Sequence, residues 1–228
     1  MMGKIRDLLL RPDIFFAGRM KEPEDLKLPG LIALVGAAVA AGAAYIISGT
    51  YSEMFSELAS GMGPIIGVIS AISAFFGFII LWWIIFAAIF YGLSLAFGGK
   101  GTFKRTLEFS GIGLIPIILG TIISLLISLY YVPLIEVPVI SGITDPAVIQ
   151  ETMSQMMEDP AFREFTQVSS LISVIFLVWS ANLWIFALKH ARNLTMKQAA
   201  LTVLIPVVIC ILVILVPAFT GISLPGGI

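Results

Sequence analysis

Long tracts of this chain contain no Asp, Glu, Lys or Arg, and only 12% of its 228 residues are charged, about half of what a soluble domain carries. With 59% apolar residues and a mean hydropathy of +1.06, too little polar surface remains to cover a water-soluble core of this size. The single cysteine, Cys210, excludes an intrachain disulfide. Together with the single histidine, His190, it cannot build an ordinary zinc site. A net charge of −1 gives no pull toward nucleic acid. Disordered and collagen-like classes are excluded by the same composition. The chain reads as an integral membrane protein.

A spanning helix needs about 20 mostly apolar residues to cross about 30 Å of hydrocarbon. The charge-free tracts are 28–52, 58–99, 109–135, 165–188 and 198–228. One helix in each predicts five spans, at about 30–48, 65–97, 110–131, 166–188 and 199–217. The fold class is therefore all-α: a single five-span polytopic membrane domain over 1–228, with short interfacial and external amphipathic helices. The second tract exceeds what the bilayer needs, at about 1.5 Å per residue. No Gly, Pro or charge marks a turn near Trp82 and Trp83, so one long tilted or projecting helix is expected.

Lys and Arg collect in cytoplasmic loops. Twelve of the thirteen lie before the first span, in the loop with Lys100, Lys104 and Arg105, or in the loop with Lys189, Arg192 and Lys197; only Arg163 lies on the other side. With the acids included, the two sides carry +6 and −7. This places the N-terminus in the cytoplasm and the C-terminus outside, in what reads as a prokaryotic cell membrane. Residues 1–27 mix charges with Ile5, Leu8, Leu9, Ile14, Phe15 and Phe16 around Pro12. They lack the clean apolar core of a cleaved signal peptide and suit an interfacial segment.

The external segment 132–165 holds two Asp-Pro pairs, Asp145-Pro146 and Asp159-Pro160. Asp caps a helix and Pro suits its first turn, so an amphipathic helix with Ile149, Met153, Met156 and Met157 on one face is expected. A second start at Asp159 would then lead into the fourth span. Small residues supply packing seams: Ala33, Ala37 and Ala41, with Gly36, in the first span, and Gly120, Ser124 and Ser128 in the third. The same seams permit a homo-oligomer. Pro116 and Pro206 would kink their helices. Local echoes (Trp83-Ile84 with Trp184-Ile185, Thr102 to Lys104 with Thr195 to Lys197) suggest that spans two–three and four–five repeat one hairpin.

Reactive chemistry finds little support. Gly98-Gly99-Lys100-Gly101-Thr102 is not a phosphate loop, because Gly follows the Lys where Ser or Thr should hold magnesium and no strand precedes it. The methionines read as an apolar face before they read as copper ligands, and His190 as an interfacial residue. No carboxylate falls inside a span, which opposes an aspartyl protease and a proton relay. Asn182 is the notable intramembrane polar residue, suited to an interhelical hydrogen bond or to lining a pore.

Several strings resemble the Yip family of Ypt/Rab-GTPase-interacting membrane proteins. Leu10 to Phe16, with Pro12, is similar to its entry segment. Glu24 to Gly30, with Asp25, Leu26, Pro29 and Gly30, resembles its acidic–Leu–Pro element. Gly98 to Phe103, with Gly99, and Ser110 to Pro116, with Gly111, resemble its glycine-rich loop and Gly-Tyr-then-Pro element. Ile112 stands where the eukaryotic pattern has Tyr, and the Asp-Leu to Pro spacing is looser. The long N-terminal domain of eukaryotic members has no counterpart here, which looks more like the prokaryotic branch. The resemblance implies a five-span protein with a cytoplasmic N-terminus and, in eukaryotes, association with Rab GTPases and vesicle traffic.

The expected function is a non-enzymatic membrane scaffold or adaptor without cofactor. Its basic cytoplasmic residues Lys100, Lys104, Arg105, Lys189, Arg192 and Lys197 would meet membrane lipid, or membrane and cytosolic proteins. The alternative is a small channel, transporter or lipid-handling protein, motivated by the two prolines and Asn182.

Overall fold

A computed structural model describes residues 2–54, 63–136, 151 and 154–220. Two short helices, α1 (Met2–Leu10) and α2 (Pro12–Arg19), precede α3 (Lys27–Met54). The next tract runs as one rod through α4 (Gly63–Gly77), a π-helical stretch (Phe78–Ile85) and α5 (Phe86–Ala96). Then come α6 (Phe103–Ile112), α7 (Ile115–Tyr131), α8 (Pro160–Ala191) and α9 (Met196–Thr220). Five helical stretches are long and apolar enough to cross a membrane: 27–49, 64–96, 103–134, 160–191 and 196–220. The protein is an all-α polytopic membrane protein.

Local signals explain most helix ends. Pro12 occupies the first turn of α2, where its missing N–H costs nothing. The Thr102 hydroxyl accepts from Arg105 N at 3.0 Å and starts α6. Asp159 accepts from Phe162 N at 2.8 Å and starts α8, with Pro160 following. Thr195 and Gln198 make a reciprocal cap for α9, with Gln198 Oε1 accepting from Thr195 N at 3.0 Å. Ile149, Met153 and the Asp145-Pro146 start lie outside the described residues. Residues 154–158 are helical, with Met156 buried and Met157 exposed.

The third span is broken in its first half. Gly113 and Leu114 separate α6 from α7, and Pro116 sits in the first turn of α7. Leu114 N turns to Gly111 O instead of Ser110 O, and Pro116 has no N–H for Ile112 O. The freed Ser110 carbonyl accepts from Trp184 Nε1 at 2.8 Å. On the other side of α6, Trp83 Nε1 donates to Leu107 O at 2.8 Å. Two indoles thus grip one helix. Both tryptophans reach the same helix, one from its own hairpin and one from the other.

The core lies where α3, the long rod, α7, α8 and α9 meet, with Ala33, Ala37, Phe78, Phe90, Leu114, Trp184 and Val203 all buried. Small residues allow the approach. A Cβ on Gly36 would stand 2.4 Å from the Phe78 ring, and one on Gly120 would stand 2.9 Å from Phe176 Cβ. Outward faces carry large apolar residues such as Leu31, Ile69, Leu126, Ile175 and Ile209, as a lipid-facing surface requires.

Gly113 has the tightest of these contacts with an indole, since an added Cβ would lie 2.3 Å from Trp184 Cδ1. Gly113→Ala should cost about 1–3 kcal/mol and lower the unfolding temperature in detergent. Gly92→Ala, where a Cβ meets nothing within 4 Å, should leave it unchanged or raise it.

Candidate functional site

Most of the charge of the described residues lies at one end of the bundle, where α1, α2, α6 and the two loops 97–102 and 192–195 meet. Glu108, on α6, is fully buried. A lone carboxylate there would be very costly, and it is held between two guanidinium groups. Arg19 Nε donates to Oε1 at 2.7 Å and Arg105 NH1 to Oε2 at 2.8 Å. Arg105 continues to Glu22 O at 2.7 Å, and Arg19 also pairs with the Glu22 carboxylate. The Thr102 hydroxyl donates to Glu24. The segment after α2 is therefore strapped along α6.

A second contact fixes α2 to α8. Asp13 Oδ1 lies 2.7 Å from both Lys189 Nζ and His190 Nε2. The lysine hydrogen bond, then that of the histidine, holds the Asp13 carboxyl below the usual carboxylate range. Beneath these polar contacts Leu8 and Phe16 pack with Phe109, Ile112, Leu183, Ala187 and Ala191. Phe16 has no exposed surface, and its ring lies 4.9 Å from that of Phe109, tilted by 46°.

Arg192 ties the two loops together. It is buried, and its guanidinium donates to Ser94 Oγ at 2.8 Å, to Gly99 O at 2.9 Å and to Gly101 O. The Tyr91 ring lies 4.2 Å from its central carbon. Lys100 N returns a bond to Arg192 O at 2.8 Å. The loop can wrap this way because Gly98 and Gly101 take φ of 73° and 115°, a region that side chains disfavour.

A family model of the Yip1 domain matches residues 6–216. The chain belongs to the Yip1 family. An uncharacterised protein of Methanocaldococcus jannaschii is 35% identical to it over 124 residues, which are 54% of this chain and 87% of that protein. The archaeal relative accords with the prokaryotic branch of the family. No solved structure matches the chain.

The Yip-like strings converge in this chain although they are far apart in sequence. A Cβ on Gly111 would stand 2.7 Å from Pro29 Cβ and 2.6 Å from Trp83 Nε1, and one on Gly30 would be 3.6 Å from the Trp83 ring. Asp25 accepts from Lys27 N at 2.9 Å, and Leu26 O accepts from Gly30 N at 2.8 Å, as α3 begins. Pro12 is buried in the first turn of α2, Gly98 and Gly99 belong to the loop around Arg192, and Pro116 is buried just past the break. These positions shape backbone rather than present reactive groups.

Burial and direction separate the residues expected at the surface or between helices. Arg105 and Arg192 are buried and bonded to internal partners. A planar guanidinium with five donors suits such a buried knot. Lys189 is half-buried against Asp13. Lys100, Lys104 and Lys197 are exposed. Asn182 is exposed on the outward face of α8 and has no hydrogen-bond partner among the described residues. Among the described residues it bonds no neighbouring helix. Sequence reading missed Arg19, Glu108 and Asp13 as structural ligands; the only local signal was the three-residue spacing of Arg105 and Glu108.

Glu108→Gln would leave two guanidinium groups without their carboxylate. The expected loss is about 3 kcal/mol, near the low end for a broken buried pair, because Arg19 keeps some contact with solvent. A lower unfolding temperature and faster proteolysis between residues 20 and 26 should report it. For Asp13 the sign follows from its lowered pKa. Its contact is fully formed above the unfolded value, about 3.9, and is lost as pH falls through the still lower folded value. Hydrogen exchange in α2 should be faster in Asp13→Asn at neutral pH. The difference from wild type should vanish once the medium is acid enough to protonate Asp13.

Proposed function

We propose that this Yip1-family protein is a non-enzymatic membrane scaffold whose charge-rich end is cytoplasmic and meets partners through its exposed cations. The observation that carries the reading is the division of labour among the basic residues at that end. Arg19, Arg105, Lys189 and Arg192 are spent on internal ion pairs and carbonyls. Lys100 remains exposed on the loop that Arg192 holds in place, and Lys104 and Lys197 remain exposed in the first turns of α6 and α9, with Arg11, Lys21 and Lys27 exposed on the N-terminal segment and the start of α3. A rigid base with outward lysines suits an acidic protein surface or anionic headgroups. The orientation follows the distribution of Lys and Arg. The family itself supports a membrane protein of the Yip type.

The test uses the full chain in native membranes with a photocrosslinker at exposed Phe103. Capture of protein or anionic lipid should fall several-fold when Lys100, Lys104 and Lys197 are all changed to Gln. It should also fall when salt is raised from about 0.05 to 0.5 M, where exposed charges are screened within a few ångströms. Equal capture by the triple variant would remove the cationic surface from the proposal.

A further inference from the structure

We infer that two copies of this chain pair side by side along α8, in register, with Asn182 of one copy bonded to Asn182 of the other. The outward face of α8 carries Leu171, Ile175, Val178 and Asn182. The three apolar residues are 47%, 63% and 52% exposed. The spacings are four, three and four residues, which is the repeat of a left-handed helix pair, with Ile175 and Asn182 at equivalent positions. A single polar residue at such a position fixes register and number of strands.

Asn182 makes the second copy the fitting occupant. It lies seven residues from Lys189, or about 10 Å along the helix, so it sits inside the hydrocarbon by the span limits given by TM length. Lipid tails offer it no donor or acceptor. Its amide carries both, so the group is complementary to itself across a twofold axis. Chains inserted in the same sense meet with parallel helices only about an axis normal to the membrane, which places the two amides at one depth. The buried face of α8, with Leu177, Ser180, Ala181 and Trp184, is committed to its own bundle and does not compete for this seam.

The experiment uses the full chain in liposomes with Cys210→Ala and one introduced thiol. Val178→Cys should form a disulfide of dimer mass on oxidation. Val208→Cys, 49% exposed on α9 before substitution, should stay monomeric. Asn182→Leu should weaken the dimer about threefold to thirtyfold, the range for one interhelical polar contact in a bilayer, and Asn182→Gln should restore most of it. Equal crosslinking at both positions, adducts of Val178→Cys with some other protein instead of a second copy, or an unchanged dimer in Asn182→Leu would each overturn the inference.

Discussion

Glu108 touches no solvent, yet it faces two guanidinium groups at hydrogen-bonding distance, one from its own helix and one from α2. That triad decides where the N-terminal segment lies. A buried charge is tolerated only when its partners are complete. Arg19 must therefore come down onto α6, and α2 comes with it. Phe16 then reaches Phe109, and Asp13 reaches the end of α8. The apolar contacts give the docking most of its stabilisation, and the charges give it one position. Farther along the spans the same cost acts in reverse, by confining ionisable groups to their ends.

The break between α6 and α7 is the second organising feature. A helix that stops inside a membrane leaves carbonyls with no water to satisfy them. Here the carbonyl freed by the Gly113 turn is met by an indole from another hairpin. The interruption is thereby both filled and held at a fixed place in the bundle. Glycine is needed on both sides of α6, because the rings of Trp83 and Trp184 lie against Gly111 and Gly113.

The five spans were legible because exclusion of charge is a property of each residue and accumulates over a whole tract. The helix start at Asp159 was legible because a cap needs only its near neighbours. The partners of Glu108 were not, since Arg19 is 89 residues away and nothing local points to it. Arg105 and Arg192 looked like surface residues because they share their loops with lysines. Only the fold shows carbonyls of Gly99 and Gly101 arranged about a guanidinium. The family resemblance was visible in short strings, and Pro29, Gly30 and Gly111 meet around Trp83 only once α3 and α6 are placed together.

The wide turn at Phe78–Ile85 changes what its rod can touch. A π-helical stretch adds a residue without a matching rotation, so the surfaces above and below it are out of phase. Before it, Phe78 fills the notch beside Gly36 of α3. After it, Phe86 and Phe90 meet the Trp184 ring of α8, at 5.5 and 5.3 Å. One rod thus serves two neighbours, the first span through Phe78 and the fourth through Phe86 and Phe90. Its aromatic residues reach both the first and the fourth span.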